Sequence, residues 1–148
     1  MLLAWWVTHN CSHPDYQIVP STEIYMDHYK IVLPADLNDY GSLFGGTLLK
    51  WVDEIAYIRV SLDFPGQHFV TIGLDNVEFR HPINQGQILC FKCTQTRLGT
   101  TSVTYRVEVY RARYDTDQQV VFENNITFVC VGADGQKQAI EQSRDPAP

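Results

Sequence analysis

The chain has 148 residues, and its 17 Asp and Glu outnumber 11 Lys and Arg, for a formal charge of −6 with His neutral. No basic tract is present, which excludes holding nucleic acid or an anionic membrane by bulk electrostatics, since such binders need clustered cations. Hydrophobic residues at 45% against 19% charged exclude disorder of the whole chain, and the length suits one domain with its own core.

Residues 1–20 show no sustained periodicity and are broken by Pro14 and Pro20, so they are expected to form an N-terminal arm ahead of a domain spanning 21–135. The opening Met1–Val7 run is apolar but lacks a positive segment and a small-residue cleavage site, as a secretory signal would have. No apolar run approaches the ~20 residues that cross a bilayer. Four cysteines, Cys11, Cys90, Cys93 and Cys130, are too few and too irregular for a disulfide framework, which predicts a reducing compartment. A soluble cytoplasmic protein with no membrane partner is expected.

Ile24–Leu33 is rich in β-branched and aromatic residues and predicts a first strand ending at Pro34. A loop of turn formers follows from Pro34 to Gly46. The period then changes: in Thr47–Leu62, Leu48, Val52, Ile55 and Leu62 recur at three-, four- and seven-residue steps, predicting a helix. Leu49, Trp51, Ala56, Ile58 and Val60 spread over most of its circumference, so burial on nearly every side is expected. Its polar strip is Lys50, Glu54, Tyr57 and Ser61, with Asp53 at the edge. Phe64-Pro65-Gly66 ends this unit, and four strands are predicted after it, over His68–Arg80, Gln87–Arg97, Ser102–Tyr114 and Val120–Val131. Val103, Tyr105, Val107 and Val109 alternate most clearly. The tail from Asp134 is polar and expected to fray, with 136–148 outside the domain.

One strand, one apolar helix and four strands predict an α+β architecture in which a long curved antiparallel sheet wraps a single central helix. One side of that assembly is left needing a partner, so a homodimer or a higher multiple is expected.

Gly45-Gly46 precede the helix, where backbone N–H groups lack intrahelical acceptors and the dipole is positive, so the pair either makes a tight turn or receives an anion or a developing oxyanion. Asp53 lies among Trp51, Val52, Ile55 and Ala56. A carboxylate in such surroundings is either solvated at the polar edge or used, and desolvation suits a carboxyl to general-base work near neutral pH. Asn38, fifteen residues before Asp53, is a turn former or an amide that holds a water or a carbonyl. Cys90 and Cys93 have redox spacing, but residues three apart on a strand point to opposite faces. His9-Asn-Cys-Ser-His13 lacks a clear fourth metal ligand. No metal site is expected.

The run from Pro34 through Asn38, Gly41, Gly45-Gly46 and Asp53-Glu54 resembles the hot-dog-fold acyl-CoA thioesterases. Thr71–Phe79, His81-Pro82, Gly86 and Arg97–Ser102 match the later motifs of that family in order, over roughly residues 28 to 135. The resemblance implies hydrolysis of an acyl-CoA, with coenzyme A as part of the substrate and no separate cofactor. Asp53 would be the catalytic carboxylate, as base or nucleophile. The N–H of Gly45, with Gly46, would polarise the thioester carbonyl, and Asn38 would reach across a dimer interface. Arg97, Thr100, Thr101 and Ser102 would lie near the nucleotide end of coenzyme A. A chain at −6 binds that polyanion only through local positive potential, so the Arg97 loop is expected to be a basic patch, with Arg80 and Lys92 as further candidates.

Two departures stand out. Phe44 occupies a place where the family often has His, and Arg59 falls in the apolar face of the helix, either pairing at its end or facing substrate. A non-catalytic acyl-CoA sensor would keep the same pocket without turnover. A hot-dog dehydratase would need a His near the helix, and none lies between His28 and His68.

Overall fold

The computed structural model describes residues 27–112 and 119–141. The predicted arm, its His9–His13 cluster and Cys11 lie outside them, as do the first residues of the predicted opening strand. The elements are β1 (His28–Ile31), a 3-10 turn (Pro34–Asp36), α1 (Gly45–Asp63), β2 (His68–Leu74), β3 (Glu78–Phe79), β4 (Ile88–Leu98), β5 (Ser102–Arg111) and β6 (Val120–Val131). All pairings are antiparallel, in the order β1-β4-β5-β6-β2, with β3 on β6 beside β2. The sheet curls around α1, which is the hot-dog arrangement.

Alternation places the core. On β5, Val103, Tyr105, Val107 and Val109 are all fully buried, and Phe122, Ile126 and Phe128 of β6 face the same interior. Into this surface α1 inserts Leu48, Trp51, Val52, Ile55, Ala56 and Val60, a stripe at three- and four-residue steps. Burial is narrower than the sequence suggests. Tyr57, Ile58 and Leu62, apolar or aromatic, stay exposed on the chain alone, because a single curled sheet covers only one side of the helix.

The predicted strand His68–Arg80 is two strands. Asp75 and Asn76 interrupt it, and Asn124 of β6 fixes the break by donating from Nδ2 to both of their carbonyl oxygens, at 3.1 and 3.0 Å. Asp75 N–H still reaches Asn125 O at 3.0 Å, so the chain kinks without leaving the sheet. The tail also differs from expectation. After a reversal at Gly135, whose φ of 75° suits glycine, the chain returns beside Cys130 and Val131 as far as Glu141. Main-chain bonds hold it there, so this stretch does not fray.

A candidate active site on two faces of the helix

Phe44 occupies the N-cap of α1 and supplies no side-chain cap, and no acidic residue lies in the first turn. An apolar cap forgoes about 1 kcal/mol of helix stability relative to Ser or Asp. The Phe44 carbonyl takes the N–H groups of Thr47 and Leu48 at 2.9 and 3.2 Å, leaving those of Gly45 and Gly46 without partners among the described residues. Aromatic rings flank both. A Cβ on Gly45 would come within 2.9 Å of Phe79 Cζ, and one on Gly46 within 2.7 Å of Phe44 Cε1. A side chain at either position would have to displace one of these rings, so glycine leaves the helix start open to close approach.

Asn38 organises the loop that delivers the chain to this point. Its Oδ1 accepts from the N–H of Tyr40 at 2.9 Å and of Ser42 at 3.2 Å, a side-chain turn that spends the oxygen and leaves Nδ2 unpartnered among the described residues. Asn38 and Gly45 line one cleft of about 610 Å³, walled by Phe44, Leu48, Phe79 and His81. The structure thus brings the predicted amide and the predicted oxyanion donor together.

Asp53 does not line that cleft. It stands eight residues along the helix, about 12 Å up the axis. There it is half-buried and faces β2, where Thr71 Oγ1 donates to its Oδ1 at 2.7 Å. Thr71 is a partner of Asp53 that the sequence left unassigned to it; the contact spans 18 residues and exists only because β2 folds back over the helix. Tyr57, one turn further on, packs against Phe128, the Cα partner of Thr71.

Arg97 and Thr100–Ser102 lie at the distal end of β4 and its turn into β5. Counted along β4 from Ile88, which pairs with Ile31 near the helix-start loop, this is roughly 30 Å away. The further cation candidates, Arg80 and Lys92, are engaged elsewhere. Arg80 is ion-paired with Glu123, and the Lys92 ammonium lies 5.0 Å from the Tyr110 ring centroid. Arg97, beside the bulge between Gln95 and its own position, has no ion-pair partner among the described residues.

A second carboxylate of α1 has a different setting. Asp63 Oδ2 accepts from Arg59 Nε at 2.9 Å and from the buried Tyr105 hydroxyl at 2.6 Å. Arg59 pairs at the helix end and turns toward β4 and β5, away from Asp53. Burial raises the Tyr105 phenol above its ordinary range, and the Asp63 carboxylate adds to it. Burial likewise pushes the Cys93 thiol up to about 12, with Arg59 opposing and Asp63 reinforcing. Cys90 pairs in register with Tyr29 on one side and Tyr110 on the other, while Cys93 faces the Arg59–Asp63 pair, so the two thiols diverge as their spacing on a strand requires. Both are free. Among the described residues no group of three His, Cys, Asp or Glu is arranged to hold a metal, and no helix is long and apolar enough to cross a membrane.

Known proteins share this fold. A hexameric hot-dog-fold thioesterase of Campylobacter jejuni is 30% identical, with a TM-score of 0.68 over 77% of this chain and 88% of that one. An acyl-CoA hydrolase from Staphylococcus aureus, solved with butyryl coenzyme A and coenzyme A, is 28% identical, with a TM-score of 0.73 over 80% of this chain and 72% of that one. In Bacillus subtilis (strain 168) the protein named uncharacterized acyl-CoA thioester hydrolase YkhA is 31% identical over 106 residues, or 71% of this chain. That match spans 61% of the relative's length. The model of the Thioesterase superfamily matches residues 40–116, from the loop before the helix through β5, and the chain belongs to that family.

Proposed function

We propose that the protein hydrolyses an acyl-CoA thioester to a carboxylate and free coenzyme A, at a site shared between two copies of the chain. The observation that carries this is the Asp53–Thr71 hydrogen bond on a helix whose first N–H groups are uncapped. Thioester hydrolysis needs those two things: a base and an oxyanion donor, with an amide to hold water or carbonyl. The names of the relatives support the reaction. Variants of the Staphylococcus aureus enzyme replace an asparagine and an aspartate fifteen positions apart with alanine, the spacing of Asn38 and Asp53 here.

The separation of about 12 Å between Gly45 and Asp53 is too great for one chain to bring both to one carbonyl. Asn38, Gly45 and Gly46 of one subunit therefore meet Asp53 of the partner subunit. Asp53 takes a proton from water while the water oxygen attacks the carbonyl carbon, and the electron pair moves to an oxyanion held by the Gly45 and Gly46 N–H groups. Collapse breaks the C–S bond, and the proton passes to the departing sulfur. In the alternative order the carboxylate attacks first and water cleaves the resulting anhydride. Neither route calls for a metal or a separate cofactor. The outer edge of β2, unpaired among the described residues, and the hexameric Campylobacter neighbour support a homodimer or a multiple of it. Arg97, Thr100, Thr101 and Ser102 take the nucleotide end of the substrate.

The test is subunit complementation. Asn38→Ala and Asp53→Asn chains, each inactive alone, are unfolded together and refolded as a mixture. Mixed dimers then hold one intact site, and thiol release from an acyl-CoA panel returns to about a quarter of wild type for random pairing. Continued inactivity of well-folded mixed dimers rejects the shared site. A wild-type protein that binds acyl-CoA but releases no thiol rejects the enzyme in favour of a sensor.

A further inference from the structure

The returning C-terminal segment ends against the turn that joins β4 to β5. Cys130 N–H donates to Thr101 O at 2.9 Å, and Ile140 N–H donates to Thr100 O at 2.8 Å. Both carbonyls of the turn are thus spent, while the N–H groups of Thr100 and Thr101 have no partner among the described residues. Below the turn, Gln138 N–H donates to Cys130 O at 2.9 Å. The far end of the segment is gripped by one side chain: Gln67 donates from Nε2 to Glu141 O at 2.8 Å and accepts at Oε1 from Glu141 N–H at 2.9 Å. Ile140 packs against the core.

We infer that Lys137–Glu141 is a strap that sets the Thr100–Thr101 turn for a phosphate-bearing ligand, and that Gln67, touching no substrate, is the positioning residue that anchors it. The inference rests on the reading that this turn receives the nucleotide end of coenzyme A. Free N–H groups recognise phosphate oxygens only when their peptides are already oriented, and a carbonyl tied on the inner side fixes its peptide plane. The strap supplies that tie at Thr100, which nothing in β4 or β5 does. Because the Thr100 carbonyl and the Thr101 N–H share one peptide plane, the strap presets the Thr101 donor, which stands near Arg97 in place of a flexible turn.

The experiment measures affinity for adenosine 3′,5′-bisphosphate and for pantetheine by calorimetry, and kcat with saturating acyl-CoA, in full-length Gln67→Ala and Ile140→Pro chains. The second variant removes the N–H that holds Thr100. Both are expected to lose about tenfold in affinity for the bisphosphate, with pantetheine affinity and kcat within twofold of wild type. Equal losses for both fragments indicate general unfolding and overturn the strap, as does unchanged bisphosphate affinity in the two variants. Arg97→Ala separates the underlying reading: if it too leaves bisphosphate affinity unchanged, the nucleotide does not lie at this turn. If only Arg97→Ala weakens binding, the turn holds the nucleotide and the strap does not set it.

Discussion

Asp53 and Asp63 sit ten residues apart on one helix, and they end in opposite circumstances. Asp63 faces β4 and β5, where a guanidinium and a phenol converge on a single oxygen. Asp53 faces β2, with one hydroxyl on one oxygen and its second oxygen unpartnered among the described residues. The first carboxylate is neutralised by its neighbours and fastens the helix end to the sheet. The second is held in direction by one strand of the sheet but left with capacity, half-buried against β2. Residue type does not separate them; their partners do, Tyr105 of β5 and the helix's own Arg59 for Asp63 against Thr71 of β2 for Asp53.

The widest contrast should come from exchanging the two losses. Asp53→Asn is expected to lower kcat by about a thousandfold, within the range for removing a general base, with little change in Tm. Asp63→Ala should do the reverse. It leaves Arg59 and the Tyr105 hydroxyl without their shared acceptor, costing about 3 kcal/mol of stability. Thermal unfolding would register that as a drop of roughly 10 °C, with kcat nearly unchanged at temperatures where the protein stays folded. Comparable stability losses in the two variants would erase the distinction.

A smaller effect tests what orients Asp53. Thr71→Val keeps shape and removes the donor, and is expected to lower kcat about tenfold with KM unchanged, while Thr71→Ser restores most of it. Equal activity in Thr71→Val would show that the hydrogen bond orients nothing the reaction needs.

The smallest effect belongs to the Asp63 side. The Cys93 thiol, ordinarily at 9.0, is raised to about 12, so the folded protein keeps a proton that the unfolded chain releases. The stability tied to that proton is intact below pH 9 and is lost as pH rises toward 12. The slope is at most about 1.4 kcal/mol per pH unit for each retained proton. Denaturation midpoints of Cys93→Ala across that window should decline less steeply than those of wild type, with Tyr105 accounting for part of what remains.

Only the Asp53 half of this contrast was read from the sequence, together with much of the fold around it. The helix, the alternation of β5 and the bounds of β6 follow from local period, which a single strand or helix imposes on its own residues. Asn38, the glycine pair and Asp53 each fit a bland structural role when taken singly, and stood out only as members of one run that resembles the hot-dog-fold thioesterases. Arg59 and Asp63, four apart, carried the signal of a helical ion pair that went unused. Thr71 could not be matched to Asp53, nor Gln67 to Glu141, since those contacts span 18 and 74 residues and depend on which strands become neighbours. The break at Asp75–Asn76 was hidden for the same reason: the side chain that fixes it is Asn124, far along the chain.

Sheet order also sets a schedule. Among the described residues β2 pairs with β6 and with no other strand, although more than forty residues separate their ends, and β1 pairs only with β4. Local hairpins can form β4-β5-β6 early, whereas β2 must wait for the last strand before its hydrogen bonds are available. A ribosome-bound chain lacking β6 therefore has Asp53 but nothing to hold Thr71 against it. Completion of the sheet and completion of the carboxylate's surroundings are a single late event, and a nascent chain cannot acquire the second without the first.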